Sequence, residues 1–198
     1  MYNLNSKRAV IEEGGTIEWI SGSFGSHTSY LYPTSILKGD RSKSEYTGIT
    51  FSGNGQDLDT GTRVIHIGKD TTSFINAKSI SKSGGKNTFR SSVEIRNNAK
   101  HAKAAVSCAS LMLDNISRSD TIPSMDVRTS DADVGHEAKI GKISEDAVFY
   151  LMSRGISETE ARQMIVTGFA NPVAKELPLE YAVEMNNLIK LEMEGAIG

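Results

Sequence analysis

The sequence predicts a mainly β protein that ends in a small α-helical region. Short runs in which apolar and polar residues alternate fill positions 1–142, and Gly, Asn, Asp and Ser separate these runs. From about position 143 the apolar residues recur every three or four positions, which is the period of an α-helix. We therefore expect a strand-rich core at 1–142 and a helical region at 143–198.

Several segments of the first region have the strand pattern. Few of the gaps between them have the two-residue Asn-Gly or Asp-Gly form of a tight hairpin, and no helical pattern separates them. Such an arrangement is compatible with a sandwich, a barrel or a β-solenoid, and the pattern does not choose among the three. The segments are "TIEWI", "YLYPTSIL", "EYTGITF", "RVIHIG", "SFINAKSI", "VEIRN" and "AAVSCASLML".

Three amphipathic helices are expected in the second region. Ser144 can cap the first of them, and Gly155 is placed to end it in the left-handed conformation. The residues "SETE" at Ser157–Glu160 form a capping box for the second helix, Asn171-Pro172 indicates a turn after it, and Pro178 opens the third. We expect these helices to cover the open end of the strand array or to present a face to another protein.

Composition excludes several classes of partner. The net charge is −2 and no Lys/Arg cluster is present, which disfavours nucleic acid and anionic membranes. No apolar run approaches the roughly 20 residues of a membrane helix, and the first residues, "MYNLNSKRAV", lack the apolar core of a signal peptide. The single cysteine, Cys108, permits no internal disulfide, so we expect a reducing, cytoplasmic location.

Few residues indicate chemistry by local pattern. Cys108, within "AAVSCASLML", is typical of a small core residue. His136 and Glu137 are neighbours in "VGHEAKIG", so on a strand they point to opposite faces, and Glu137 alone is typical of a solvated strand residue. His66 is predicted on the polar face of its strand, and Asp59 in a polar turn.

Several segments together resemble the C-terminal half of SufB in the SufB/SufD family of the Suf iron–sulfur cluster assembly machinery. The resemblance implies a right-handed parallel β-helix followed by a C-terminal helical region. The family's larger N-terminal portion is missing, so we expect a truncated or split copy that lacks sulfur-accepting cysteines of that portion. The segments are "YNLNSKRA", "DTGTRVIHIGKDT", "KSIS", "DNISRSDTIPSMDVR", "GHEAKIGKISEDAVFYLMSRGISETEARQMIVTGF" and "ELPLEYAVEMNNLIKLEMEGAIG".

The resemblance also implies a function and partners. The protein is expected to be a scaffold subunit without turnover of its own, which builds a transient iron–sulfur cluster at the interface with a paralogous subunit. A SufD-like paralogue or a second SufB is expected to bind through the β-helix, and a SufC-like ABC-type ATPase through the C-terminal helices. Sulfur would arrive from a donor of the SufE or SufU type acting with SufS.

Four residues match positions to which the resemblance assigns a role. Cys108, in "CASLMLD", and Glu137, in "HEA", are implied as the metal ligands of the cluster, with His136 a secondary candidate. Lys7, in "YNLNSKRA", matches a lysine on the sulfur route. One cysteine is too few for an all-cysteine site, so Glu137, His136, a partner subunit or a small thiol must supply further ligands. The spacing between Cys108 and Glu137 is compatible with neighbouring or next-neighbouring solenoid turns.

Two alternatives remain open from the sequence. The first is a SufD-like partner subunit that is structural and carries no cluster ligands. The second is a β-solenoid carbohydrate-active enzyme, a class that uses clusters of acidic or basic residues in an exposed groove.

Overall fold

The computed structural model describes residues 1–194, which form twelve β-strands and then three α-helices. Residues 195–198, the end of the predicted helical region, lie outside the described residues. The elements are β1 Tyr2–Asn5, β2 Arg8–Ile11, β3 Thr16–Ser23, β4 Thr28–Leu31, β5 Thr34–Leu37, β6 Lys43–Ser52, β7 Asp57–His66, β8 Thr72–Ser81, β9 Lys86–Ile95, β10 Ala102–Met112, β11 Arg118–Val127, β12 Ala132–Lys142, α1 Glu145–Met152, α2 Glu158–Ala174 and α3 Leu179–Glu194.

The strands wind into a parallel β-solenoid with two sheets. Sheet A contains β1, β2, β4, β5, β7, β9 and β11, and sheet B contains β3, β6, β8, β10 and β12. Every strand pair has parallel register, and the turns differ in length, since Tyr2 is in register with Thr28 but Lys86 with Arg118. Sheet B has one strand per turn, so its five strands correspond to five turns. The parallel β-solenoid predicted from the resemblance is confirmed.

The interior of the solenoid contains polar side chains as well as apolar ones. His66 is fully buried there, and its ring nitrogens lie 2.8 Å from the hydroxyl of Thr71 and 2.9 Å from that of Ser73. Burial lowers the pKa of His66 to about 4, so the ring is neutral at pH 7. The prediction that His66 lies on the polar face is wrong, because hydroxyl groups inside the solenoid satisfy both ring nitrogens.

Asp59 lies within strand β7, and the prediction of a polar turn there is wrong. Both of its carboxylate oxygens accept hydrogen bonds from Arg90 of β9, at 3.0 and 3.2 Å from Nε. Tyr32 also donates its hydroxyl to Asp59. The carboxylate therefore has one partner from the next solenoid turn and one from the preceding turn, and these stabilise it on a strand without the backbone contacts of a turn.

The helices pack on the outer face of sheet B, near the C-terminal ends of its strands. Ile49, Phe51 and Ile80 of the sheet form one buried cluster with Val166 and Ile189 of the helices. The last turn of the solenoid stays open, because its strands β11 and β12 are mostly exposed. The expectation that the helices cover the open end is therefore wrong: the apolar surface that they bury lies on the face of sheet B.

The ends of the helices follow the predicted signals, with one exception. Ser144 accepts the amide of Ala147, Ser157 forms the capping box with Glu160, and Gly155 has a φ of 86°. The turn predicted at Asn171-Pro172 is absent, because α2 continues to Ala174 with Pro172 inside it.

Two features let α2 continue through its proline. Pro172 leaves the carbonyl of Gly168 without its helical donor, but both residues are exposed, so water can reach that carbonyl. The buried Val173 and Ala174 then hold the last turn against the sheet. Within residues 1–194, no helix has both the length and the apolar character that a membrane span requires.

Candidate functional site

Cys108 lies on the inner face of β10, one strand from the open end of the solenoid. Its register partners are Ala77 of β8 and Ala138 of β12, and only 3% of its surface is exposed. It lines a small internal cavity of about 10 Å³ together with Tyr46 and Thr121. That volume holds about one water molecule, so an iron–sulfur cluster cannot reach the sulfur in this conformation.

The environment of Cys108 favours the neutral thiol. Burial raises the pKa of Cys108 to about 11, and no metal-binding group of three or more His, Cys, Asp or Glu side chains occurs within residues 1–194. The thiolate is the form that binds iron and attacks electrophiles. Chemistry at Cys108 therefore requires a change that exposes the sulfur.

The burial of Cys108 predicts slow and strongly pH-dependent alkylation. A pKa that rises from 9.0 to about 11 lowers the thiolate fraction at neutral pH by about 100-fold. The rate with iodoacetamide should therefore increase from pH 7 up to about pH 11 in the native protein. The urea-unfolded chain, measured by the same mass spectrometry, should follow a normal thiol profile.

The same pKa shift has a consequence for stability. The folded state raises the pKa of Cys108, so the contribution of the buried neutral thiol to stability is complete below about pH 9. This contribution is lost as the pH rises through about 11. The urea concentration at the midpoint of unfolding should therefore decrease as the pH is raised from about 9 to about 11, and this decrease should be smaller in Cys108→Ser.

The alkylation experiment can also contradict the burial of Cys108. A native alkylation rate at pH 7 that equals that of the unfolded chain would show that Cys108 is not enclosed.

Glu137 lies on the opposite face from Cys108. It is the register partner of Ser107, while Ala138 is the partner of Cys108, and alternate residues of a strand face opposite sides. The ammonium of Lys139 lies 2.8 Å from the carboxylate of Glu137, and this hydrogen bond lowers the pKa of Glu137. The carboxylate is thus ionised and exposed, and it points away from the cavity at Cys108.

The other two predicted site residues have different positions. His136 is the register partner of Val106, so it shares the face of Cys108, and it is exposed because no strand among residues 1–194 lies beyond β12. Lys7 is exposed in the connection between β1 and β2, where its carbonyl accepts the amide of Thr34 at 2.9 Å. That position is in the first solenoid turn, three turns from Cys108. The structure therefore brings His136 to the face of Cys108, but neither Glu137 nor Lys7.

A shallow groove of about 560 Å³ crosses the outer face of sheet B beside Glu137. Phe74, Asn76 and Ser107 line it, and Glu137 is the one carboxylate that residues 1–194 place in its lining. Glycosidases place two carboxylates at the bond that they cleave. The groove therefore gives no support to a carbohydrate-active enzyme.

Sequence reasoning did not identify a cluster of arginines around Glu94. This buried carboxylate on the outer face of sheet A lies 3.0 Å from Arg63, 3.0 Å from Arg96 and 3.3 Å from Arg128. Arg63 and Arg128 belong to neighbouring solenoid turns, and their distances in sequence from Glu94 are close to one turn. This spacing is the only sequence signal of the arginine cluster, and it can be recognised only when the length of a solenoid turn is known.

Comparison with known proteins gives a consistent result. Residues 1–169 match the family described as "SUF system FeS cluster assembly, SufBD core domain". The whole chain is 50% identical to the iron–sulfur cluster assembly protein SufB of Bacillus subtilis and covers 43% of that protein. It is 46% identical to an iron–sulfur cluster assembly SufBD family protein of Mycobacterium leprae and covers 23% of it. The chain thus spans less than half the length of these curated relatives.

Proposed function

Because the chain belongs to the SufBD core family, we propose that it is a scaffold subunit on which an iron–sulfur cluster is built, with no turnover of its own. The cluster is cargo that the subunit receives and releases. The observation that carries the proposal is the position of Cys108, the single cysteine of the sequence, one strand from the open end of the solenoid. A thiolate is the preferred protein ligand of iron in such clusters.

Loading of the scaffold requires movement of the last strand. Cys108 is covered in the closed form, and within the described residues 1–194 β12 pairs on one side only, with β10. Displacement of β12 would expose the sulfur and lower the pKa of Cys108 toward the normal thiol range, because burial is the cause of its shift. A site that forms only on opening suits a cluster that must later leave.

The register of β12 favours one of the two further candidate ligands. His136 shares the face of Cys108, whereas Glu137 faces away and is paired with Lys139. The register therefore supports His136 as the first companion of Cys108 within this chain. Glu137 can contribute only after rotation of β12 or toward a ligand on the outer face.

Anaerobic reconstitution tests the scaffold role. The protein in complex with its partner subunit, incubated with ferrous iron and sulfide, should develop the visible absorbance of a cluster. Cys108→Ser should remove most of it, and His136→Ala should reduce it more than Glu137→Gln does. The matched control is Ser107→Ala, which changes the neighbouring outward-facing hydroxyl. An unchanged spectrum in Cys108→Ser would refute the assignment.

The exposed surfaces are compatible with the partners that we propose. The open end of the solenoid, formed by β11 and β12, would bind a SufD-like paralogue or a second SufB. A SufC-like ATPase would dock on the helices, and a sulfur donor of the SufE or SufU type with SufS would supply sulfur, with Lys7 as a candidate on its route. The charge of the helical region supports this proposal, because residues 143–198 carry nine acidic and four basic side chains. A net charge of −5 favours a basic surface on the partner.

One observation favours a second candidate function. The enclosed, neutral Cys108 is also what a structural core cysteine would show, as in a SufD-like partner subunit without cluster ligands. Complementation distinguishes the two functions. The scaffold should rescue cells that lack SufB and the structural subunit should rescue cells that lack SufD, each expressed with whatever N-terminal portion its relatives carry.

A further inference from the structure

The imidazole ring of His101 lies between two carboxylates that belong to different solenoid turns. Its Nδ1 atom is 3.1 Å from the carboxylate of Asp70, and its Nε2 atom is 3.3 Å from that of Asp131. Asp70 lies in the connection before β8, His101 in the connection before β10, and Asp131 in the connection before β12. One side chain thus connects three successive turns of the solenoid, including the last.

This arrangement fits the protonated ring of His101 and not the neutral one. A neutral imidazole has a single N–H group, and its other nitrogen is an acceptor. Only one of the two carboxylates can therefore accept a hydrogen bond from the neutral ring, while the other faces a lone pair. The imidazolium ion has two N–H donors and a positive charge, so it can bind both carboxylates.

The backbone places His101 in this position. His101 has a φ of 57°, in the left-handed region, and Asp70 has the same φ at the equivalent point of the preceding turn. The amide of Asp70 donates to the carbonyl of Lys100 at 2.9 Å, and the amide of His101 donates to the carbonyl of Asp131 at 2.7 Å. These hydrogen bonds stack the connections on one another, so the ring reaches both carboxylates from a fixed backbone.

The two ends of β12 are held by different kinds of contact. Beyond its C-terminal end, Ile143 is only 5% exposed and its amide donates to the carbonyl of Met112 at 2.9 Å. At its N-terminal end, Asp131 is held by the ring of His101, whose side chain is 62% exposed. The C-terminal end of β12 is therefore suited to act as a hinge, and the N-terminal end depends on a contact that solvent protons reach.

We propose that protonation of His101 latches β12 over Cys108 and that loss of this proton releases the strand. Asp131 immediately precedes Ala132, the first residue of β12, so its release frees the strand from that end toward Ala138, the register partner of Cys108. Histidine side chains exchange this proton between about pH 5 and pH 8. The inference rests on the proposed function, since it names the regulation of access to Cys108.

The charges around His101 set the direction of the pH effect. Asp70 and Asp131 are the acidic groups that residues 1–194 place within ion-pair distance of the ring, and both favour its charged form. The latch is therefore closed at low pH, and its contribution is lost as the pH rises and the ring becomes neutral. Three lysines of the same segments act against the charged ring, and Asp133 offsets one of them as its register partner; the lysines are Lys69, Lys100 and Lys103.

Hydrogen exchange of β12 tests the latch. The protection of its amides, corrected for the intrinsic exchange rate at each pH, measures the opening of the strand. In the wild type this protection should fall by about 2- to 5-fold as the pH is raised from about 5.5 to about 8, which is the effect of one exposed ion pair. Asp131→Asn should lack this decrease and should show, already at about pH 5.5, the low protection that the wild type reaches at about pH 8.

Further variants separate the ion pair from a purely structural role. His101→Asn introduces a residue that tolerates the left-handed conformation but cannot be protonated, and it should behave like Asp131→Asn. The double variant His101→Asn/Asp131→Asn should lose no more protection than either single variant, because both remove the same interaction. The matched control is Asp133→Asn, which removes another carboxylate near the same end of β12 and should keep the pH dependence.

Access to Cys108 is the second measurement. A disulfide reagent should modify Cys108 about 2- to 5-fold faster in Asp131→Asn than in the wild type at about pH 5.5, and equally fast at about pH 8. The thiolate fraction of Cys108 cancels in this ratio, so the ratio reports only the opening of β12. Wild-type protection that does not change with pH, or a ratio of one at the lower pH, would overturn the latch.

Failure of the latch and failure of the proposed function give different results. If the latch is absent, cluster formation that depends on Cys108 would still be observed in the reconstitution experiment. If the pH-dependent protection is present but Cys108→Ser leaves the cluster spectrum unchanged, the scaffold role is refuted and the latch remains as a property of the fold.

Discussion

Replacement of Phe51 by alanine is expected to lower the free energy of unfolding by about 3–5 kcal/mol. Phe51 has no exposed surface, and it lies on the outer face of sheet B beneath α2 and α3. Ile80 of the sheet and Val166 of α2 belong to the same cluster and are also fully buried. Rigid neighbours on both sides cannot collapse into the space that the ring leaves, so a cavity remains. Urea denaturation followed by circular dichroism measures the loss.

Phe74 provides a matched control for this substitution. It is a phenylalanine on the outer face of the same sheet, but outside the cover of the helices, with 52% of its surface exposed. Phe74→Ala should therefore cost no more than about 1 kcal/mol. Equal losses in the two variants would show that the helices contribute little to the stability of the solenoid.

The strands and helix ends could be predicted because their causes are local. Alternation along "EYTGITF" and "SFINAKSI" reflects one buried and one outer face of each strand. Ser144, Ser157 and Gly155 act on backbone groups close to themselves in the sequence. No knowledge of the rest of the chain is needed for such signals.

The failed predictions concern residues whose partners are distant or belong to another element. Asp59 is paired with Arg90 about a full solenoid turn away, and the helix beyond Pro172 is held by its contact with sheet B. The polarity of His66 indicated exposure, yet hydroxyl groups inside the solenoid satisfy it. Local patterns do not contain these contacts, which depend on the length of the solenoid turn and on the position of the helices.

The candidate site also depends on contacts between solenoid turns that local sequence patterns do not contain. Cys108 is in register with Ala138, so Glu137 falls one position short of a full turn. A turn shorter by that one position would have placed Glu137 on the face of Cys108. The sequence spacing was compatible with neighbouring or next-neighbouring turns, and the face depends on whether the turn length is odd or even. The resemblance selected these residues, and only the register relates them to each other.

We expect the proposed ATPase subunit to bind the exposed apolar surface of the helical region. Phe149, Tyr150 and Met152 of α1 and Met164 of α2 are each between 42% and 71% exposed. A concave surface of about 540 Å³ includes Met164 and Gly155. Large exposed aromatic residues are the kind that dominates binding energy when a partner buries them.

Removal of the two aromatic side chains should therefore disrupt this docking. Phe149→Ala/Tyr150→Ala is expected to weaken the binding of a SufC-type ATPase by at least about 30-fold, since a residue of this kind contributes about 2 kcal/mol or more. The matched control is Leu179→Ala/Tyr181→Ala on α3, whose side chains are 78% and 66% exposed, and it should change the affinity little. Titration calorimetry measures both variants.

Comparison of the two double variants tests which exposed surface of the helical region, that on α1 or that on α3, is the docking site. A larger loss in the α3 variant would move the docking site to the groove beside Tyr181 and Met185. The net charge of −5 on residues 143–198 adds a second criterion, because a basic partner surface should bind more weakly as the salt concentration rises. The aromatic substitutions remove apolar area without changing charge, so they should reduce affinity at every salt concentration and leave its salt dependence intact. A variant that instead abolished the salt dependence would show that charge, and not the aromatic pair, determines the site of docking.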